Sequence, residues 1–250
     1  MSTITIPASI RHGLIEMIFR DDSRQPELEP LCRKVLEKFQ LPQRSLICIF
    51  DDVDYRQAYN GSPDLGNEYR GFLRPLREQG SSNVFWPRDI VRLLKNDRGI
   101  LYDAMIYLRQ RTCQSQVGVV ITFTHELQHF MQYGFSYKVW RAVGSVKKVY
   151  AGEPLAPWCL PCENEAQLVS KQIACEVLGH EMVLSYAEQQ IENGNDPEKW
   201  RFFKKMDLEE SFDLLEQTKP WVNTYREALK VRFPADSSEE PDFTKDNWWE

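Results

Sequence analysis

Hydrophobic positions change their period several times along the chain, and each change marks an element. Over residues 26–40, Leu28, Leu31, Val35 and Phe39 recur at three- and four-residue spacing, which predicts a helix. Residues 45–50 read Ser-Leu-Ile-Cys-Ile-Phe, a short apolar run that suits a buried strand. Residues 51–80 contain Asn60-Gly61, Pro63, Gly66 and Gly71, and read as a long loop region. Pro87 is placed to open a helix running to about Lys95. Residues 103–109 predict a second strand, with a helix as the alternative. Residues 116–133 predict a strong amphipathic helix, with Phe123, Leu127, Phe130 and Met131 on one side and His125 and His129 on another.

A loop carrying Gly144, Gly152, Pro154, Pro157 and Pro161 follows. A second long helix is predicted from about Cys162 to Glu192, closed by Asn193-Gly194. Asp196-Pro197 opens a further helix, with Asp as cap and Pro as first residue. Asp207 and Thr218 to Pro220 divide the remainder into two more. Mixed α/β first and all-helical second predicts an α+β fold: one domain over residues 1–232, built of an N-terminal α/β lobe (1–150) and a helical lobe (151–232). Residues 233–250 form an acidic tail expected to be mobile.

Composition narrows the class. The chain has 250 residues, 42% hydrophobic and 12% aromatic, too aromatic for a disordered chain. Its longest apolar run, residues 117–121, is far short of the roughly 20 residues that a membrane-spanning helix needs. The first residues show no basic segment followed by an apolar one, so no signal peptide is expected. The six cysteines are then expected as reduced thiols in a cytoplasm. Net charge is −6, and the tail with Asp236, Glu239, Glu240, Asp242, Asp246 and Glu250 against Lys245 carries most of it. No basic footprint asks for nucleic acid.

Chemistry concentrates in Thr124-His-Glu-Leu-Gln-His129, which matches H-E-x-x-H as His125, Glu126 and His129. Residues four apart share one helical face, so both imidazoles can point at one metal ion. Glu126 follows the first ligand by one residue, within reach of a metal-bound water but too far round to replace a ligand. Zn²⁺ lowers the pKa of such water to roughly 7, and a carboxylate can then take its proton. Two of the four histidines sit in this pentapeptide.

A catalytic zinc site needs a third protein ligand. Ser136 lies near where a third histidine would be required, so a glutamate is expected instead. Glu165, at the start of the second long helix, is the preferred ligand; its neighbours Leu168 and Val169 suggest a side facing the core, and a first-turn carboxylate suits the helix dipole. Glu163 is the alternative, two residues earlier and about 160° away round the helix. Glu153 is a third candidate, in a Gly/Pro loop.

His125-Glu126-x-x-His129 followed by Asn164-Glu165-Ala166 resembles the zincin metallopeptidases of the glutamate-ligand (gluzincin) type. The Pro-x-Glu-x-Glu-Ala run at 161–166 is also similar to short cytoplasmic peptidases that cleave bacterial repressors. The resemblance covers about residues 100–180. It implies a two-lobed zincin-like fold and a zinc-dependent endopeptidase whose edge strand holds a protein substrate beside the metal helix. Val169 stands where thermolysin-like enzymes carry an Asp, and Gln128 where the repressor-cleaving group has Gly. The tetrahedral oxyanion needs a further donor, for which Tyr133, Tyr150, Arg141 and His180 compete.

Three other features of the sequence bear on function. Cys159 and Cys162 form a lone C-x-x-C before the second long helix, read as reduced thiols, with a redox switch or a half metal site as the functional alternative. Asp51, Asp52 and Asp54 follow a predicted strand, and carboxylates there can hold Mg²⁺; an Mg-dependent phosphohydrolase is thus an alternative function, though Tyr55 departs from that pattern. A non-catalytic metal-stabilised binding or sensor module is the other. Trp248 and Trp249 in the tail suit a regulatory partner or docking into the cleft.

Overall fold

The computed structural model describes residues 9–12, 14–19, 24–39, 41, 44–50, 71–76, 93–96, 98–132 and 161–206. Asp51, Asp52, Asp54, Tyr133, Arg141, Tyr150, Glu153, Cys159, the two helices expected after Asp207 and the tail lie outside these residues, as does most of the helix expected from Pro87.

The first elements are strand β1 (Ser9–His12), strand β2 (Ile15–Phe19), helix α1 (Gln25–Leu36), strand β3 (Leu46–Phe50), strand β4 (Gly71–Pro75) and strand β5 (Ala104–Leu108). The five strands form one sheet in the order β1-β2-β3-β5-β4. β2, β3 and β5 run parallel in the centre, and β1 and β4 are antiparallel edges. Register places Met17, Cys48 and Ile106 side by side, and Phe19, Phe50 and Leu108 in the next row on that face. These rows pack beneath the helices, whereas Ile18, Ile47, Ile49, Met105 and Tyr107 pack on the opposite face with Leu76, Leu94 and Tyr102. A parallel strand buried on both faces has no polar side to show, so Leu46–Phe50 is apolar without alternation.

Ser45 and Asp103 pin the starts of β3 and β5. The Ser45 amide and hydroxyl donate to Asp103 Oδ2 at 2.8 and 2.7 Å, and the Asp103 amide donates back to Ser45 Oγ at 3.1 Å. β1, β2 and β4 were not expected. β4 lies inside the predicted loop region, because Gly71 and Pro75 read as turn residues; an edge strand tolerates both.

Five helices follow or accompany the sheet: α2 (Gln110–Cys113), α3 (Gln116–Gln132), α4 (Pro161–Leu178), α5 (His180–Glu192) and α6 (Pro197–Lys205). α3 lies on the sheet, with Phe123 against Phe50 at 5.7 Å between ring centroids and Phe50 stacked on Phe19 at 4.4 Å. Its partner is α4, the most extensive pairing of elements among the described residues. The predicted helix from Cys162 to Glu192 is in fact two helices. Gly179, at φ 90° and ψ 145°, breaks it in a conformation that side chains other than hydrogen rarely adopt.

α6 begins as expected at Asp196-Pro197, although the Asp196 side chain makes no capping bond. Its Trp200 and Phe203 fill the core beside Tyr186 of α5. The buried Lys171 of α4 donates from Nζ to the carbonyls of Lys204 (3.1 Å) and Met206, holding the negative end of α6 against α4. No helix among the described residues is long and apolar enough to cross a membrane.

Candidate metal centre

α3 supplies two of the site's groups. Its first turn is capped by Ser115, whose Oγ accepts from the Gly118 amide at 3.2 Å. Phe123, Leu127 and Phe130 are buried in the core, so the helix cannot rotate about its axis without unpacking them. That constraint aims His125 and His129, one turn apart, away from the sheet. Their rings meet edge to face, 4.5 Å between centroids and 89° between planes. The two Nε2 atoms stand 3.0 Å apart.

The third group comes from α4. Glu163 Oε2 lies 3.2 Å from His125 Nε2 and 3.4 Å from His129 Nε2. His125, His129 and Glu163 are the one set of three such groups that converge, among the described residues, within 4.8 Å of one another. A tetrahedral zinc ion with bonds of about 2.0–2.1 Å holds its nitrogen and oxygen donors about 3.3 Å apart. The observed triangle of 3.0, 3.2 and 3.4 Å fits that donor set.

Protonation states fit as well. Burial, reinforced by the neighbouring His129, lowers the His125 pKa to about 4, so its ring is neutral near pH 7 and keeps a lone pair. Burial pushes the Glu163 carboxyl up, but the adjacent His129 and His125 outweigh it and hold the carboxyl well below its ordinary value. An ionised carboxylate and a neutral imidazole are the forms that bind a cation.

Glu126 is 7% exposed, next to His125 and about 100° round the helix from it. A buried carboxylate beside a cation site is the placement expected of a proton acceptor.

Glu165, the expected third ligand, is not in the converging group; Glu163 takes that place. The reason lies in how α4 meets α3. Ala166, Ser170 and Ala174 are fully buried and small, and recur at four-residue spacing. Three residues back along that stripe is Glu163, whereas Glu165 is about 200° further round. The small-residue stripe was the available signal, and the burial of Leu168 pointed to another face. His180 is not at the site. It opens α5 beyond the far end of α4, with Nδ1 3.6 Å from Cys175 Sγ, and Cys175 is 12 residues, about 18 Å, along α4 from Glu163.

No protein family, curated protein or solved structure matches the chain.

Proposed function

We propose that the chain is a zinc-dependent metallopeptidase that hydrolyses peptide bonds of a protein substrate. His125, His129 and Glu163 hold the ion, and the fold is of the two-lobed zincin-like kind. The observation that carries this reading is the convergence of three donors, in cation-binding form, from an H-E-x-x-H helix and a downstream helix. Bound zinc would supply a Lewis acid and a water of lowered pKa. Glu126 accepts the proton of the attacking water and passes it to the leaving amine.

The strand arrangement supports the same reading. β4 is one of the two antiparallel edges of the sheet, and a Cβ at its first residue, Gly71, would stand 2.8 Å from Thr122 Cγ2. Thr122 precedes His125 by three residues, so the edge strand starts within one turn of the ligands. An extended peptide lying along β4 would pair with its outer backbone groups, at the edge of the sheet among the described residues, and pass the ion. The ligands also come from both lobes: two from α3, which rests on the sheet, and one from α4 in the helical part. A cytoplasmic regulatory protein as the substrate completes the proposal.

The test is Glu126→Gln. Zinc stays bound at the His125, His129 and Glu163 group, and cleavage of a protein substrate falls by about 100-fold or more, the lower range of general-base catalysis. His129→Ala loses activity together with the ion held by the His125, His129 and Glu163 group. Undiminished cleavage by Glu126→Gln would overturn the peptidase reading, and a zinc-loaded wild type that cleaves nothing would favour the binding or sensor module.

A further inference from the structure

Cys32, Cys48 and Cys113 are buried, but Cys175 is only half-buried, near the C-terminus of α4. His180, the first residue of α5, is exposed and presents Nδ1 3.6 Å from Cys175 Sγ. Residues five apart in a continuous helix lie about 140° apart round the axis and cannot converge. Here the helix is broken between them. Gly179 has φ +90° and nothing within 4 Å of where a Cβ would stand, so its backbone conformation rather than crowding calls for glycine. The break turns His180 back toward the last turns of α4.

We propose that Cys175 and His180 form a second metal-binding site, for a borderline divalent cation of the zinc class, at the α4–α5 junction. A tetrahedral ion with bonds of about 2.3 Å to sulfur and about 2.05 Å to nitrogen holds those atoms about 3.6 Å apart. The observed separation is 3.6 Å, before any rearrangement. Thiolate and imidazole are the ligand pair that this class of ion prefers over the hard cations. Binding breaks the S–H bond, forms the sulfur–metal bond and releases the proton to solvent. Among the described residues no third His, Cys, Asp or Glu converges on this pair, and the neighbouring Glu176 is engaged by Lys38 Nζ at 2.7 Å and by Gln172, so water takes the two remaining positions. The site shares no residue with the His125, His129 and Glu163 group and stands independently of the peptidase reading.

Cobalt(II) tests it, because sulfur-to-cobalt charge transfer absorbs in the near ultraviolet and the two-histidine, one-glutamate group contains no sulfur. The reduced full-length chain is titrated past one equivalent of cobalt. A sulfur band should grow with a second equivalent, vanish in Cys175→Ser, and need at least 10-fold more cobalt in His180→Ala. It should persist in His129→Ala and in the double variant Cys159→Ser, Cys162→Ser. A wild type without the band, a band that survives Cys175→Ser, or one lost with Cys159 and Cys162 overturns the proposal.

Discussion

Replacing Glu163 and Glu165 one at a time separates the two possible third ligands. The carboxylates are two residues apart on α4, about 3 Å along its axis and about 200° round it, so one ion cannot use both without unwinding the first turn. Glu163→Gln exchanges the oxygen that sits 3.2 and 3.4 Å from the two imidazoles for a neutral amide. Loss of an outer partner of a ligand typically costs 10–100-fold in metal affinity. Loss of the charged ligand itself should cost at least the upper figure, about 100-fold, or about 2.7 kcal/mol. Glu165→Gln should change affinity by less than about 3-fold, within the range of an ordinary surface substitution. The assay is competition for zinc against a chromophoric chelator in reducing buffer at neutral pH. Circular dichroism of the metal-free forms checks that both variants fold. The reasoning fails if Glu163→Gln binds zinc as tightly as the wild type, or if Glu165→Gln is the variant that loses it.

Three further outcomes follow from the packing and charge. Gly71→Ala forces a Cβ to 2.8 Å from Thr122 Cγ2 and 3.0 Å from the Tyr107 carbonyl, and should cost about 1–3 kcal/mol in urea unfolding; an unchanged midpoint would show that β4 does not press on α3. Phe123→Ala, at a fully buried position against Phe50, should cost about 3–5 kcal/mol and weaken zinc binding, measured on the same samples. Metal-free protein should lose stability in acid: His125 has a folded pKa of about 4 against about 6.5 unfolded, so its contribution is complete above pH 6.5 and falls away between pH 6.5 and 4, by up to about 3 kcal/mol. A stability profile flat from pH 7 to 4 after chelation would refute the His125 assignment; Glu163, held below its ordinary value, acts in the same direction at still lower pH.

The parts legible in the sequence were those whose burial is one-sided or complete over a long stretch. α3 could be read because its apolar side and its histidines separate cleanly, and β3 because five consecutive buried residues leave a run that nothing polar interrupts. β4 was hidden by its own Gly71 and Pro75, whose use at a sheet edge depends on neighbours far away in the chain. The break at Gly179 was hidden because half-buried Val177 and Leu178 and buried Val183 continue an apolar spacing across it. Glu163 and Glu165 were both visible as candidates. Choosing between them required knowing which side of α4 is buried against α3, and small buried residues such as Ala166, Ser170 and Ala174 mark a close helix approach only once the partner helix is known.

The setting of α3, laid on the sheet and walled by α1, α4 and α5, has a consequence for loading and unloading of the ion. In small zinc domains the cation creates the fold, and chelation dissolves it. Here the imidazole pair rides on a strut whose buried Phe123, Leu127 and Phe130 anchor it in the core without any ion. On the proposed reading, stripping the ion should leave a native, reloadable apoprotein, so supply of the ion would govern activity without refolding the chain.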